Sequence, residues 1–497
     1  MQTETITDLL RKADAAAGNL NHHEAIRLAQ QVLAQDPRNV DAVGRLGGAL
    51  KMLGKHHQAK RVFEQAIRMG VVSYRIVGDY AGLLNQEGQH EKALEMIERA
   101  QREFPGQKGL LSVHVEILAT MSRYEEAFAL LKPVIDANVY DYRTIIALLR
   151  ICRKIDKEDL AIELCTRLSS SGTLSPSAKM SLLFQLSVLL HDVGRYEEAF
   201  RAAQEANTLR YRHFDPSVHA RSIDMLIERW NPESLERMGD SGLDDETAVF
   251  IVGMPRSGTT LLEQVLGAHH DVLALGERPY VTDIVKHLNG AEIQTDVPHM
   301  QKTHLLNPFV LKQAGEQYVR FLRYHNETIA RTTDKRPDNF LHIGLIATML
   351  PGAKILHSSR SLEDIATSIF LRHFGGPYEW VFTQEHIADY TADYVRLMEH
   401  WVSLFPDRIL EVPYESMTQD FEPTVRKVLE FVGLDWDNEC LEFHTSKRVA
   451  NTASIDQVRQ PVYTKSVGSA SRYGDLFDPF RTHLAGRMAQ QPSREPS

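Results

Sequence analysis

Alanine recurs at a fixed spacing through the N-terminal part of this chain. Five alanines follow one another at intervals of 34 residues, and a sixth comes 38 residues after the fifth; they are Ala25, Ala59, Ala93, Ala127, Ala161 and Ala199. Such a period is typical of helix pairs that stack on one another, because each pair buries its apolar face only against its neighbours. The N-terminal part of the chain is therefore predicted to be an all-α solenoid.

Glycine and proline occupy matching places in these repeats. Gly54, Gly88 and Gly194 each lie five residues before an aligned alanine, where a turn would join two helices. Pro37 and Pro105 each lie twelve residues after one, where the second helix of a pair should end. The pattern resembles the tetratricopeptide repeat, a helix–turn–helix unit whose stacked array forms a concave surface. Such a surface could bind a protein or peptide partner, pair with another copy of the chain, or only cover the second domain.

The chain is predicted to contain two domains joined by a short helical linker. The stretch from Asp240 to Glu246 is acidic, and Gly239, Ser241 and Gly242 would interrupt any helix there. The C-terminal tail is polar and contains proline and serine, a composition typical of disorder. The predicted parts are tetratricopeptide repeats at 1–210, a helical linker at 211–245, a second domain at 246–486 and a disordered tail at 487–497.

A short apolar stretch and a glycine-bounded turn begin the second domain. Residues 248–252 are apolar and β-rich, as in a central parallel strand, and residues 253–260 read Gly-Met-Pro-Arg-Ser-Gly-Thr-Thr. A strand, a turn and a helix in this order direct backbone N–H groups and a helix N-terminus to one point, which favours an anion. They also form the first unit of an α/β P-loop-like domain with a parallel, doubly wound sheet.

The turn departs in one position from the nucleotide-phosphate loop G-x-x-x-x-G-K-[ST]. Gly253 and Gly258 have the expected spacing, but Thr259 stands where that loop has its lysine. In ATP and GTP sites this lysine reaches the β- and γ-phosphates. Here Arg256 supplies the cation, and its planar guanidinium suits phosphate or sulfate oxygens. The loop is therefore predicted to bind a phosphate-bearing donor that has no γ-phosphate.

The segment Pro255-Arg-Ser-Gly-Thr-Thr260 resembles the loop with which sulfotransferases bind the 5′-phosphosulfate of 3′-phosphoadenosine 5′-phosphosulfate (PAPS). Its arginine form is most similar to that of the tyrosylprotein sulfotransferases. The whole chain is similar to bacterial proteins that join tetratricopeptide repeats to such a domain, and the catalytic resemblance covers residues 245–475. It implies a PAPS-dependent sulfotransferase of class EC 2.8.2. No metal is expected, because no His/Cys/Asp cluster has metal-ligand spacing and the loop lacks its lysine. The residues of the loop that would contact the donor are Arg256, Ser257, Gly258, Thr259 and Thr260.

A second strand–turn–helix pattern occupies residues 353–372. Because the carboxyl ends of neighbouring parallel strands meet, Arg360 is expected beside the first loop, and the helical period places Ser368 and Arg372 on one face. The resemblance implies that these three residues bind the 3′-phosphate of PAPS, a dianion that needs charge-assisted donors. By the same resemblance, Tyr414 helps to hold the nucleotide.

A third segment, residues 454–468, resembles the family's C-terminal nucleotide-binding segment. The resemblance implies that Gln457 contacts the donor and that Ser454 supports the transition state. Many relatives have a basic residue and a tryptophan after the final glycine, whereas this chain continues Ser-Ala-Ser-Arg. Lys465 or Arg472 would have to supply the positive charge there.

Sulfuryl transfer requires a base for the acceptor hydroxyl and positive charge near the bridging oxygen. Alignment with the tyrosylprotein branch places Glu277 on that family's catalytic glutamate, and a carboxylate can serve as a general base. Lys335 matches the family's lysine that reaches the bridging oxygen, where an ammonium would offset the leaving-group charge. Arg256 would act on the transferring sulfuryl group. Many cytosolic relatives use histidine as the base, so His299 and His304 are alternatives.

Bulk properties exclude some classes of protein and favour a cytoplasmic location. The formal net charge of −10 argues against a nucleic-acid binder, which usually carries a basic excess. The 3 cysteines are scattered and form no C-x-x-C motif, as expected in a reducing compartment. The N-terminus has no secretory signal pattern, and no apolar run approaches the roughly 20 residues that a membrane helix needs. We therefore expect a cytoplasmic protein that does not associate with a membrane.

Two other functions are compatible with the sequence. The second domain could be a P-loop kinase or ATPase with a degenerate loop, although no apolar strand ending in a magnesium-binding Asp is evident. The chain could also be a repeat-based interaction scaffold beside an inactive nucleotide-binding domain. The sulfate acceptor and the oligomeric state do not follow from the sequence, because peptide tyrosine, a carbohydrate and a small-molecule hydroxyl all fit the chemistry.

Overall fold

The computed structural model describes residues 5–18, 21–210, 213–290, 300–374, 378–445 and 466–490. Contacts between residues divide the chain into two compact units, Met1–Gly194 and Arg195–Ser497. Within the described ranges, no helix is both long and apolar enough to cross a membrane.

The described part of the first unit is built from helices, most of which pack against the next helix in the chain. The aligned alanines of this unit lie in every second helix, and each is at most 1% exposed. This arrangement confirms the predicted all-α repeat architecture. The helices are α1 (Ile6–Gly18), α2 (His22–Gln35), α3 (Val40–Met52), α4 (His56–Arg68), α5 (Tyr74–Gln86), α6 (His90–Glu103), α7 (Lys108–Thr120), α8 (Tyr124–Asp136), α9 (Tyr142–Ile151), α10 (Glu158–Ser169) and α11 (Pro176–Asp192).

Glycine has two different uses in this unit. Gly54 and Gly88 lie in the turns before α4 and α6 with φ of +70° and +80°, a conformation that costs glycine little. Gly47 of α3 instead permits close packing, because a Cβ there would lie 2.2 Å from Cε1 of Phe63 on α4. The turn glycines therefore lie where the repeat pattern predicts them.

The second unit contains a sheet in which all five described strands pair in parallel. The strands are β1 (Ala248–Val252), β2 (Val272–Ala274), β3 (Arg331–Asp334), β4 (Lys354–Ser359) and β5 (Ile409–Pro413), in the spatial order β2-β3-β1-β4-β5. From the central β1 the chain first fills one side of the sheet and then the other. This order confirms the predicted parallel, doubly wound α/β sheet.

Helices connect and flank these strands. The described helices of the second unit are α12 (Tyr196–Arg210), α13 (Pro216–Arg229), α14 (Pro232–Met238), α15 (Thr259–Ala268), α16 (Tyr280–Asn289), α17 (Pro308–Arg323), α18 (Ile343–Met349), α19 (Leu362–Phe370), α20 (Gln384–Leu404), α21 (Tyr414–Gln419), α22 (Phe421–Phe431) and α23 (Asp478–Ala489). The chain reverses its direction of travel across the sheet between β1 and β4, which are hydrogen-bonded neighbours. Ligands of open α/β sheets bind outside the carboxyl ends of the strands at such a point.

Two strands of the sheet do not follow from the sequence pattern. β2 is only three residues long, and β3 is the polar run Arg-Thr-Thr-Asp. The sequence predicted no apolar strand ending in an Asp, yet β3 pairs directly with β1 and ends at Asp334. Burial between the neighbouring strands, rather than apolar composition, stabilises this strand, since Thr332 and Thr333 are at most 1% exposed.

Helix α12 belongs to the second compact unit, although its alanine pattern continues that of the repeats. Contacts divide the chain after Gly194, whereas the sequence predicted the end of the repeats at residue 210. The ring of Phe200 on α12 stacks on that of Phe370 with centroids 5.1 Å apart, and it meets Phe477 edge to face at 5.6 Å. These contacts join the helix to the α/β unit.

Candidate active site

The loop between β1 and α15 is held at both ends by the core. Ile251 of β1 and Leu262 of α15 belong to the same cluster of buried apolar side chains. Burying a side chain of this size contributes about 1.5–3 kcal/mol, so both ends of the loop are anchored. Helix α15 begins at Thr259, and the N-cap residue, Gly258, offers no side-chain acceptor to its first N–H groups. The end of this helix is therefore suited to an anion.

Three residues of the loop have unusual backbone angles. Gly253 has φ +153°, and a Cβ there would lie 2.4 Å from the carbonyl oxygen of Ser358. Gly258 has φ +105°, and a Cβ there would lie 2.6 Å from Cδ2 of Tyr414. Arg256 has φ +73°, which is uncommon for a residue with a side chain and is maintained only where the surroundings impose it. The loop is therefore tightly packed beneath Tyr414, and its arginine is held in a strained conformation.

One serine hydroxyl joins the two predicted phosphate sites. Ser368 Oγ accepts a hydrogen bond from Arg256 Nε at 3.0 Å and another from Arg372 Nη1 at 3.1 Å. Helix α19 ends at Phe370, so Arg372 lies beyond the helix rather than on its face as the sequence predicted. The two arginines nevertheless converge on the same side chain.

Arg360 lies beside the same loop, as expected from its place after β4. Its Nη1 donates to the carbonyl oxygen of Arg256 at 3.3 Å, and its Nη2 donates to the carbonyl oxygen of Ser466. The guanidinium carbon lies 4.8 Å from the ring centroid of Tyr414, in cation–π geometry. The structure thus brings Arg256, Arg360 and Tyr414 together.

Asp364 is a buried carboxylate that the sequence analysis did not select. It lies 3.4 Å from Arg360 and accepts hydrogen bonds from the backbone N–H groups of Gly468 and Ala470, both at 2.8 Å, and from the Ser469 hydroxyl at 3.2 Å. The carboxylate therefore ties residues 468–470 to the arginine. Its only sequence signal is an acid in the first turn of a helix, where a favourable dipole interaction is the common explanation.

The loop residues fit a phosphate-bearing ligand. Ser257 Oγ in the loop and Nε of the neighbouring Arg360 are buried without a hydrogen-bond partner in the described part of the chain. Leaving a buried donor unpaired costs about 1–3 kcal/mol, so these positions favour a ligand that supplies acceptors. The hydroxyl-bearing residues Thr259 and Thr260 are also buried and begin α15 beside them.

Lys335 and Glu277 form an ion pair next to this loop. Lys335 Nζ donates to Glu277 Oε1 at 2.6 Å, and the lysine is 1% exposed whereas the glutamate is 52% exposed. Lys335 directly follows β3, the neighbour of β1, and the N–H of Gly253 donates to the carbonyl of Pro337 at 3.3 Å. The predicted base and the predicted leaving-group lysine are therefore in contact, at the same edge of the sheet as the phosphate loop.

The turn that carries Glu277 is attached to the helix of the phosphate loop through Glu263. This buried carboxylate on α15 accepts from the N–H of Gly276 at 2.9 Å and from the Thr333 hydroxyl at 3.2 Å. The carbonyl of Gly276 in turn accepts from the N–H of Lys335 at 3.1 Å. Burial raises the pKa of Glu263, and the charge of Lys335 opposes that rise. Sequence reasoning missed Glu263, because an acid inside a helix gives no sign of burial.

Asp334, at the end of β3, is a buried carboxyl group held by polar partners. It accepts hydrogen bonds from the Tyr318 hydroxyl at 2.8 Å and from Asn339 Nδ2 at 3.3 Å. Burial raises the pKa of Asp334 to about 7, and the Tyr318 hydrogen bond opposes the rise. The group therefore differs from the readily ionised Asp that holds magnesium in P-loop enzymes.

Among the described residues, His269, His270 and Asp437 form a group that could hold a metal ion, because their ligand atoms lie within 4.8 Å of one another. Both ring nitrogens of His269 are already engaged, since Nδ1 accepts from the N–H of Asp271 and Nε2 bonds the carbonyl of Asp435, each at 3.0 Å. This group stabilises the chain after α15 through hydrogen bonds. It does not present His269 to a metal ion.

The contacts described above do not test several of the predicted residues. His304, an alternative base, is exposed in a short 3₁₀ helix. The other alternative base, His299, and the predicted donor-site residues Ser454, Gln457 and Lys465 lie outside the described residues. Their assigned roles stay predictions.

Comparisons with known proteins find similarity to both parts of the chain. Residues 248–438 match the sulfotransferase family, and residues 16–71 and 50–108 match two families of tetratricopeptide repeats. A protein of Aquifex aeolicus named only as uncharacterized is 31% identical over 392 residues, which cover 76% of this chain and 50% of that protein. The chain thus spans half the length of that relative.

Relatives with named activities are more distant. A putative protein-tyrosine sulfotransferase of Caenorhabditis briggsae is 24% identical over 231 residues, covering 45% of this chain and 80% of that protein. The solved sulfotransferase domain of the Synechococcus PCC 7002 olefin synthase is 14% identical, covers 49% of this chain and 98% of that domain, and has a TM-score of 0.35.

Proposed function

We propose that this chain, which joins tetratricopeptide repeats to a domain of the sulfotransferase family, transfers the sulfuryl group of PAPS to an acceptor hydroxyl. One observation carries the proposal most directly: Ser368 bonds both Arg256 of the first loop and Arg372 of the second. The cation assigned to the 5′ side and one cation assigned to the 3′-phosphate are therefore joined through one side chain. This places the two predicted anion sites next to each other, as a single nucleotide that carries both anions requires.

The donor is assigned to two groups of residues. The 5′ side contacts the hydroxyls and N–H groups at the start of α15 together with Arg256, since a helix N-terminus and a guanidinium both favour phosphate. The 3′-phosphate contacts Arg360, Ser368 and Arg372. Tyr414 packs against Gly258 and under Arg360, and it holds the arginine in place. When bound, the donor supplies an activated sulfuryl group on a phosphate oxygen.

The Glu277–Lys335 pair performs the transfer. The Glu277 carboxylate takes the proton of the acceptor hydroxyl, whose oxygen forms the new bond to sulfur as the bond from sulfur to the phosphate oxygen breaks in line. Lys335 has three N–H donors, so it can bond Glu277 and still donate to the oxygen on which charge develops. The buried position of the lysine strengthens this electrostatic contribution, because less water screens it.

The donor assignment is tested by calorimetric titration with adenosine 3′,5′-bisphosphate in the absence of magnesium. We expect binding by the wild-type protein and a large loss of affinity in Arg360→Ala. Arg201→Ala is a matched control, because Arg201 is a 71%-exposed arginine of the same unit that bonds only Glu197 among the contacts observed for its side chain. Binding of Mg-ATP alone would instead favour a phosphoryl-transfer enzyme, and binding of neither nucleotide would favour a scaffold.

The acceptor that we propose is a phenolic hydroxyl of a protein tyrosine. Support comes from the relatives named protein-tyrosine sulfotransferase and from the half-exposed carboxylate of Glu277, which an acceptor can reach from solvent. Incubation of ³⁵S-labelled PAPS with the protein and a tyrosine-containing peptide tests this. Labelled tyrosine O-sulfate supports the proposal, whereas label that appears only in a carbohydrate or a small molecule contradicts it.

We further propose that the repeats bind a protein partner or the protein acceptor. A variant that lacks residues 1–194 should then bind adenosine 3′,5′-bisphosphate normally but lose activity toward that acceptor. Its nucleotide binding serves as the control for folding. Unchanged activity toward the acceptor would contradict a role for the repeats in presenting it.

A further inference from the structure

Helix α12 contacts the short segment that carries Arg372. Asn207, which is buried, donates from Nδ2 to the carbonyl oxygen of Phe370 at 3.0 Å. Arg210 donates from Nη1 to the carbonyl oxygen of Phe374, and its guanidinium carbon lies 5.3 Å from the ring centroid of Phe382. Two backbone carbonyls, one on each side of Arg372, are therefore held by side chains of one helix.

The position of these carbonyls explains why they need partners. Helix α19 ends at Phe370, and the last carbonyls of a helix have no N–H partner within it. Asn207 supplies a donor to one of them inside the core, where an unpaired carbonyl is costly. The stacked rings of Phe200 and Phe370 fix the spacing between α12 and α19. The backbone around Arg372 therefore takes its position from α12.

Arg372 depends on that position, because it lies outside regular secondary structure. Its Nη1 reaches Ser368 Oγ at 3.1 Å, the same hydroxyl that Arg256 bonds. A guanidinium recognises phosphate through a planar arrangement of donors, so a small displacement removes most of the benefit. A backbone anchored on both sides keeps that arrangement in place before a ligand binds.

We propose that Asn207 and Arg210 are positioning residues for Arg372, and that α12 thereby makes the site select nucleotides with a 3′-phosphate. This inference rests on the proposed function, because it assigns Arg372 to the 3′-phosphate. The inference gives a role in the site to α12, a helix whose sequence continues the alanine pattern of the repeats. The effect is indirect, since Asn207 and Arg210 bond backbone carbonyls rather than the ligand.

The test compares two nucleotides that differ in one group. The full-length protein is titrated by calorimetry with adenosine 3′,5′-bisphosphate and with adenosine 5′-monophosphate, which lacks the 3′-phosphate. Asn207→Ala and Arg210→Ala should weaken binding of the bisphosphate roughly tenfold, the loss expected when a charged hydrogen bond is misplaced, and should change binding of the monophosphate less than about twofold. Thr208→Ala, an exposed position on the same helix, should change neither.

Two further variants separate positioning from folding. In an Arg372→Ala background, Asn207→Ala should have no further effect on the bisphosphate, because the arginine that it positions is absent. Arg210→Lys keeps a cation able to donate to the Phe374 carbonyl, and it should restore most of the affinity. Equal weakening for both nucleotides, or undiminished bisphosphate binding in Asn207→Ala and Arg210→Ala, would overturn the inference. Failure of the wild-type protein to bind the bisphosphate would overturn the proposed function itself.

Discussion

Lys335 donates a 2.6 Å hydrogen bond to Glu277, and the two side chains differ sharply in exposure, at 1% for the lysine and 52% for the glutamate. The cation is thus fixed inside the protein beside the phosphate loop, while the carboxylate extends toward solvent. This asymmetry matches the roles that we propose, since a leaving-group oxygen belongs to the bound donor and a hydroxyl arrives with the acceptor.

Replacing the proposed base should separate chemistry from binding. Glu277→Gln keeps an oxygen that can accept from Lys335 but removes the capacity to take a proton at neutral pH. We expect sulfate transfer to fall roughly 10²–10⁴-fold, the usual contribution of a general base, with little change in affinity for adenosine 3′,5′-bisphosphate. Single-turnover assays with labelled donor measure the first quantity and calorimetry the second. Near-normal turnover would move the base elsewhere, first to His304.

Replacing the buried lysine should slow transfer without a general loss of structure. Lys335→Met has a similar shape and no charge, and we expect transfer to fall roughly 10²–10³-fold, as when a preorganised electrostatic partner is removed. Lys335→Arg should not restore activity, because the larger, planar guanidinium does not fit a position that is 1% exposed. Lys312→Met, on the exposed face of α17, is the matched control. Full activity in Lys335→Met or in Lys335→Arg would count against this role.

Glu263 accepts a hydrogen bond from the turn that carries Glu277, so removing the Glu263 carboxylate should displace Glu277. Glu263→Ala leaves the N–H of Gly276 without its partner, and a displacement of about 1 Å in a catalytic group costs up to roughly 10²-fold in rate. Glu263→Gln retains an acceptor oxygen and should restore most of the turnover rate. We expect the turnover rates of Glu263→Ala and Glu263→Gln to differ, and their affinities for adenosine 3′,5′-bisphosphate to be the same. Equal rates in the two variants would refute a positioning role.

Asp334 should make stability depend on pH between about 4 and 7. Its pKa is about 7 in the folded protein against 3.8 as its ordinary value, so the folded state binds the proton more tightly. This group contributes its full share to the free energy of unfolding below its ordinary pKa, and the contribution is lost as the pH rises through the pKa of the folded state. Asp334→Asn mimics the protonated group, so its free energy of unfolding should rise relative to that of the wild type as the pH goes from 5 to 8. Urea unfolding of both proteins at pH 5 and at pH 8 measures this. The same difference between the two proteins at both pH values would argue against a raised pKa.

A methyl group at Gly258 should close the donor site. In Gly258→Ala the new Cβ would lie 2.6 Å from the Tyr414 ring, and the residue would also keep an unfavourable φ of +105°. We expect loss of binding to adenosine 3′,5′-bisphosphate, measured by calorimetry. Gly242→Ala is the control, because its φ is also positive, at +62°, but no atom lies within 4 Å of the added carbon. Normal nucleotide binding in Gly258→Ala would mean that Tyr414 does not pack against the occupied loop.

Local patterns predicted much of the fold and part of the site. The aligned alanines predicted the helix pairs because a repeating unit has the same packing requirement each time. Gly253, Arg256 and Gly258 predicted the turn between β1 and α15, because that turn depends on residues close together in the chain. β3 was not predicted, because its threonines are polar. The segment is a buried strand only because it pairs with a neighbouring strand on each side.

The sequence by itself determined the structures that depend on repeated or neighbouring residues. These are the stacked helices and the strand–loop–helix unit with Arg256. Only the tertiary structure decided that Glu277 pairs with Lys335 and that Glu263 and Asp364 are buried anchors. It also decided that α12 packs on the segment that carries Arg372. The physical reason is that these contacts join residues far apart in the chain, and their carboxylates, amides and carbonyls find partners only after the sheet brings its strand ends together.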